Sequence, residues 1–467
     1  VSNPYLEGNF APVPDECTAT DLPVTGTIPA ELDGRYLRNG PNPIGEQDPA
    51  AYHWFTGDGM VHGIRLRDGK ADWYRNRWVR SSSVAEALGE PSHPGPVSEA
   101  GDFASNTNIL RMGHRLLACV EAGSRPYELT DDLDTLGPSD LGGTLPGAFT
   151  AHPHHDPVAD EWHAMAYWWG WGEQVQHLVL GADGDVTHSR MIDTTGGPMV
   201  HDLALSERWA VVYDLPCDFD LDAAMAGERL PYHWRPDEPA RFGLIPRRDL
   251  DGDVVWVDID PCYVFHTLNA YDDGDTLVVD AVRWDRMFEG AGNGPIESGT
   301  PALWRWTIDT AAGTASTEQL RDLDEEFPRI DERLTGRRHR YGYGALNLTG
   351  TETEGRGGVV KHDLDRGTSE VLDLGVGSGP NEFVFVPRDG ATGEDEGWLV
   401  GLAYVADRDR SDLVIVAADD VGAGPVARVH LPRRVPFGFH GNWIPTAGRA
   451  LRLDAFGDRS ESARPTG

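Results

Sequence analysis

Three histidines and two prolines crowd the stretch Phe149-Thr150-Ala151-His152-Pro153-His154-His155-Asp156-Pro157, the densest group of potential metal donors in the chain. Neutral imidazole is the commonest protein ligand for a transition metal, and a neighbouring proline fixes the backbone so that the ring is placed before metal arrives. Of this group only His152 is read as a ligand. One ligand is not a site, and the other donors must come from far along the sequence. Three more histidines have comparable settings: His201 in Pro198-Met199-Val200-His201-Asp202, His266 in Tyr263-Val264-Phe265-His266-Thr267, and His440 in Phe437-Gly438-Phe439-His440-Gly441-Asn442. Each stands beside apolar or turn residues near the end of an expected strand. Any one alone reads more readily as a satisfied core histidine; the metal reading needs all four together, and spacing does not supply that. His93, His188, His233 and His339 lie in polar, loop-like stretches and are expected at the surface.

The elements that must bring such residues together are short β-type runs separated by Gly, Asp and Pro, at 115–121, 162–169, 176–180, 209–214, 254–259, 276–284, 302–308, 358–362, 398–404 and 413–417. Ala182-Asp183-Gly184-Asp185 and Asp272-Asp273-Gly274-Asp275 are expected hairpin turns. Helical periodicity is scarce, with short candidates at 221–227 and 324–334. Many short strands without alternating helices leave a sandwich pair, a large barrel or a propeller. A seven-bladed all-β propeller, as a single domain over residues 1–467, fits best at roughly 65 residues per blade, although no sequence repeat is evident.

The formal net charge of −36 is spread along the whole length, which argues against nucleic acid as a partner. Lys70 and Lys361 are the only lysines. An evenly acidic, lysine-poor surface suits a very salty cytoplasm, where screening weakens self-repulsion, so a halophilic host is expected, with an ordinary acidic protein of a GC-rich genome as the alternative. Cys17, Cys119, Cys217 and Cys262 form no metal or disulfide pattern and read as reduced and structural. No basic segment followed by an apolar run opens the sequence, and no apolar stretch is long enough to span a bilayer, so a cytoplasmic location is expected.

Gly34-Arg35-Tyr36-Leu37-Arg38-Asn39-Gly40-Pro41-Asn42-Pro43 and His53-Trp54-Phe55-Thr56-Gly57-Asp58-Gly59-Met60-Val61-His62 resemble the N-terminal signature of the carotenoid cleavage oxygenases. The likeness continues through Tyr74-Arg75-Asn76-Arg77, the four histidine segments and Phe265-His266-Thr267-Leu268-Asn269-Ala270-Tyr271. Gly57-Asp58-Gly59 lacks the third glycine and following helix of a phosphate loop and reads as a tight turn. The resemblance implies a seven-bladed propeller with a cap of loops and short helices, and Fe(2+) on its axis held by His152, His201, His266 and His440. It further implies that Glu121, Glu326 and Glu382 accept the outer ring N–H groups of His201, His266 and His440, which orients the rings and offsets the metal charge. Glu352 and Glu394 read by contrast as ordinary exposed glutamates.

Four protein ligands would leave two positions of an octahedral iron open for dioxygen and for water or substrate. The implied reaction is cleavage of a conjugated C=C bond in a hydrophobic polyene, a carotenoid or apocarotenoid. By resemblance Thr107 crowds one open iron position. Phe265 and Phe439 are candidates to line the substrate channel, with core packing as the alternative; Trp168-Trp169-Gly170-Trp171 reads rather as blade core. Phe219, Leu221, Ala223, Ala224 and Met225 fall where the family places an apolar entrance patch, here interleaved with Asp218, Asp220 and Asp222, so peripheral membrane contact is expected there. The competing functions are stilbenoid cleavage or retinoid isomerisation within the family, a non-catalytic carotenoid-binding propeller, and a calcium- or zinc-dependent propeller hydrolase, which would favour carboxylate ligands. In the stilbenoid-cleaving branch the residue before the first glutamate is typically a lysine that meets a phenol; here it is Val120, which suits a hydrocarbon, although Arg125 is a second basic residue nearby.

Overall fold

A computed structural model describes residues 2–289, 294, 299–346 and 356–446. Seven antiparallel sheets surround an axis, numbered here in chain order from the one that opens with Gly34–Pro41. Their innermost strands are Gly34–Pro41 with Gly441–Pro445, then Asn108–Met112, His154–Asp156, Leu203–Leu205, Tyr263–Asp273, Glu325–Arg329 and Ser378–Pro387. The expected propeller is present, and both hairpins are found at the expected turns.

The sequence dictates how each blade stands. Inner and middle strands are apolar on both faces because they lie between neighbouring blades; Leu413, Val414, Ile415 and Val416 are all fully buried. Outer strands such as Thr368–Val376 and Thr314–Gln319 present mostly polar residues to water. The largest apolar cluster joins blades three, four and five through residues such as Val175, Val211, Val279 and Trp306. Each such fully buried side chain contributes about 1.5–3 kcal/mol.

The ring closes twice. Val24–Gly26 adds the outer strand of blade seven beside Pro425–His430, while the C-terminal Gly441–Pro445 pairs with Gly34–Pro41 in blade one. Blade four carries an inserted hairpin, Cys217–Phe219 with Tyr232–Trp234, whose connection holds a short helix Leu221–Met225 capped by Asp220.

Several local expectations are corrected. The segment 324–334 is not a helix: Pro328 would remove a helical hydrogen bond, and the chain forms the strand Glu325–Arg329 and a single turn Glu332–Leu334. None of His93, His188, His233 and His339 is fully exposed; His339 is buried beside Asp280 and Asn269. Of the expected blade-core run Trp168–Trp171 only part packs as core: Trp171 lies against the apolar cluster of blades two and three, while Trp169 stands on a surface turn and is 51% exposed. Glu394 is partly buried and accepts the amides of Arg340 and Tyr341 at 2.7 and 2.6 Å, so it is not the ordinary exposed glutamate expected. Glu352 lies outside the described residues. Among the described residues no helix is long and apolar enough to cross a membrane.

Candidate metal centre and substrate cavity

Each of the seven innermost strands brings one candidate residue to the same end of the axis. Thr107, His152, His201 and His440 lie just before the strands Asn108–Met112, His154–Asp156, Leu203–Leu205 and Gly441–Pro445; His266, Glu326 and Glu382 lie within the other three. Glu121 follows the second strand of blade two. A regular strand would turn alternate side chains away from the axis. Pairing register shifts around His266, between Glu326 and Arg329, and between Pro380 and Phe383; such bulges re-aim side chains. Phe327 and Ala122, each next to a site glutamate, have φ of +53° and +62°, a conformation unusual for residues other than glycine.

His152, His201, His266 and His440 form a group whose ligand atoms lie within 4.8 Å of one another. His201 Nδ1 donates to Glu121 Oε2 at 2.7 Å, His266 Nδ1 to Glu326 Oε2 at 2.5 Å, and His440 Nδ1 to Glu382 Oε1 at 3.3 Å. A carboxylate at Nδ1 fixes the proton there and leaves Nε2 with its lone pair. The Nε2 atoms of His201 and His266 are 3.3 Å apart, and those of His266 and His440 3.2 Å, while His152 Nε2 is buried without a hydrogen-bond partner. Converging lone pairs with no donor between them are what a bound cation satisfies, so the residues present fit a transition metal, and four imidazoles suit iron among others. Burial keeps His440 neutral, its pKa lowered to about 4. Burial also opposes protonation of His266, yet the charge and hydrogen bond of Glu326 carry it above its ordinary value.

The glutamates are themselves held. Tyr167 Oη donates to Glu121 Oε1 at 3.0 Å, and Trp284 Nε1 and the Phe327 amide donate to Glu326 at 2.7 and 2.8 Å. Arg329 Nη1 and the Gly441 amide donate to Glu382 at 3.2 and 2.8 Å. Burial favours the protonated form of Glu382, but the charge of Arg329, followed by His440, takes its pKa down to about 2. Sequence reasoning missed Tyr167, Trp284 and Arg329 as site residues; the only signal was Arg329 in the same short motif as Glu326. His154 and His155 stay out of the metal group: His154 bonds Asp202 at 2.7 Å and His155 bonds Asp160 at 3.0 Å. Asp202 in turn accepts the Thr267 amide beside His266.

On one side of the histidines lies a cavity walled by aromatic and aliphatic residues, among them Trp54, Phe55, Phe103, Val120, Phe265 and Phe439. Thr107, His201, His266 and His440 also line it. Thr107 Oγ1 donates to Asn106, and its carbonyl accepts the His440 amide at 3.0 Å. Among the described residues no lysine or arginine lines this cavity, and Arg125 is not part of its wall. Leu230, also in the wall, leads to a surface where Phe219 stacks on Trp169 at 5.4 Å, with Leu221 and Met225 61% and 81% exposed. On the opposite side a polar cavity reaches His152, His266, Glu382 and Arg329.

The family model described as retinal pigment epithelial membrane protein matches residues 10–445. A carotenoid cleavage oxygenase of Mycobacterium tuberculosis is 46% identical, covering 95% of this chain and 98% of its own. A carotenoid 9,10(9',10')-cleavage dioxygenase of Crocus sativus is 33% identical, covering 94% and 89%. The cobalt-substituted Synechocystis ACO structure superposes with a TM-score of 0.82 at 27% identity, over 93% of this chain and 97% of that one. Matched over nearly its whole length, with four histidines and three glutamates assembled on a seven-bladed axis, the chain belongs to the carotenoid cleavage oxygenase family, which that model describes.

Proposed function

We propose that this chain is an iron(II)-dependent dioxygenase that cleaves a conjugated C=C bond of a carotenoid or apocarotenoid and releases aldehyde or ketone products. The observation that carries this reading is that the aromatic cavity is also lined by His201, His266 and His440, so a polyene lying in it places a double bond beside the metal site. The names of the relatives at 46% and 33% identity support the substrate class. His152, His201, His266 and His440 would hold the iron, which when bound supplies the electrons that let dioxygen react with a closed-shell alkene.

The remaining work falls to the chain. Glu121, Glu326 and Glu382 hold a ring proton on Nδ1 of His201, His266 and His440, which turns each Nε2 lone pair toward the metal position. Phe265 and Phe439 line the cavity and exclude water from the reacting bond. Thr107, tied to the His440 backbone, narrows the space beside the histidines. Val120 and the absence of a cationic side chain from the described wall favour a hydrocarbon over a phenol, because a buried lysine without a partner would be costly. The exposed apolar group of Trp169, Phe219, Leu221 and Met225 suits peripheral contact with a membrane, from which an insoluble polyene enters past Leu230.

Mass spectrometry of products after aerobic incubation with polyenes of graded length and with resveratrol tests the reading. Aldehydes from the polyenes are expected, with little turnover of resveratrol. Faster cleavage of resveratrol overturns the substrate assignment, and no cleavage of any compound by the iron-loaded protein overturns the activity.

A further inference from the structure

The three histidine–glutamate pairs are not equivalent. Glu121 and Glu326 are steadied by neutral donors, a tyrosine hydroxyl in one case and an indole and an amide in the other. Glu382 is met by a guanidinium, and Arg329 Nη1 and His440 Nδ1 both approach its Oε1, at 3.2 and 3.3 Å. That His440 contact is the longest of the three pairs, against 2.7 and 2.5 Å for the others. Arg329 also bonds Asn442 Oδ1 at 3.0 Å and Glu332. Glu332 is largely exposed, where water screens its charge, whereas Glu382 is buried and in direct line with the metal group.

We propose that Arg329 is the electrostatic positioning residue of the metal centre: it takes up part of the Glu382 charge, so that a dication, the three carboxylates paired to its ligands and one guanidinium balance one another. Net charge in a largely desolvated group is disfavoured unless compensated, and Arg329 supplies one positive charge for the single charge by which three glutamates exceed a dication. This rests on the metal reading of the four histidines. It goes beyond that reading by making metal affinity depend on a residue that touches neither metal nor ligand.

The experiment is a double-mutant cycle read by the cobalt(II) dissociation constant in competition with a chelator, with thermal melting to verify folding. Glu382→Gln alone leaves the Arg329 cation facing the metal, so affinity falls by about 10- to 100-fold. Adding Arg329→Gln removes that cation, and the double variant regains at least about tenfold of the loss, the coupling expected of a charge pair. If Arg329 served only to hold Asn442 and the surrounding backbone, the two losses would add, and a double variant no tighter than Glu382→Gln overturns the proposal. A second arm needs no change at Glu382: the ferric/ferrous midpoint potential should fall in Arg329→Gln and stay near the parent value in Arg329→Lys. A potential that is unmoved or raised in Arg329→Gln also overturns it. Failure of the metal reading is seen separately, as a parent protein that binds no cobalt.

Discussion

Trp284 donates its indole N–H to Glu326 at 2.7 Å, on the carboxylate oxygen not used by His266. The two ends of this relay come from adjacent blades, since Trp284 closes the second strand of blade five and Glu326 lies in the inner strand of blade six. Trp284→Phe keeps the ring and loses the donor. Cobalt affinity should fall about tenfold, at the weak end of the effect of removing an outer partner, while the melting temperature changes little. Unchanged affinity would detach Trp284 from the centre.

His440→Ala and His154→Ala should separate. The first removes a donor, and with it the ring that Glu382 orients, so metal content should drop to a small fraction of the parent. The second leaves the four clustered histidines in place but deprives buried Asp202 of its side-chain partner, costing about 1–3 kcal/mol of stability with metal content near stoichiometric. Metal analysis and thermal melting of both variants check this, and full metal occupancy in His440→Ala would sink the assignment.

Substrate delivery gives a third expectation. Leu221→Asp combined with Met225→Asp places charge on the exposed apolar group without touching the cavity wall. Turnover of polyene presented in vesicles should fall severalfold, while turnover of the same polyene in detergent stays close to the parent. Equal rates from vesicles would remove the membrane role.

Glu394 offers a pH test. Burial raises its pKa to about 7, against the opposing amides of Tyr341 and Arg340. A carboxyl group whose folded pKa exceeds its unfolded value of 4.5 gives stability that is present below the unfolded value and is lost as pH rises through the folded one. The melting temperature should therefore decline between about pH 4.5 and pH 7 more steeply in the parent than in Glu394→Gln; parallel curves would contradict it.

With a formal net charge of −36, the protein should melt at a lower temperature as salt is withdrawn, because the carboxylates then repel one another unscreened. A melting temperature flat from molar salt to dilute buffer would reject adaptation to high salt.

The histidine–glutamate cluster was legible through the motifs that resemble the family: His152, His201, His266, His440 and the three glutamates were all named on that resemblance, and the structure brings them together. The strands were legible for a local reason, short β-type runs broken by Gly, Asp and Pro. What escaped depends on long-range packing. The charged start of 324–334 imitates a helix opening, and only Pro328 and its place inside blade six make it a strand. His339 sits in a polar stretch but is buried by residues from blade five. The tryptophans after Tyr167 look like core, yet the chain turns outward there and sets Trp169 against Phe219. Tyr167 and Trp284 are ordinary strand aromatics until the opposing glutamates are in view.

Ring closure has a mechanical consequence. His440 immediately precedes Gly441–Pro445, the strand that fastens the C-terminal end to Gly34–Pro41. Load applied at the C-terminus must peel this strand before any blade unravels, and peeling it draws His440 away from the other three histidines. A bound cation then acts as a rivet across the seam. In a single-molecule pulling measurement the first rupture would report the strength of the metal bond, and a chelator would lower that force while leaving the later, blade-by-blade ruptures unchanged.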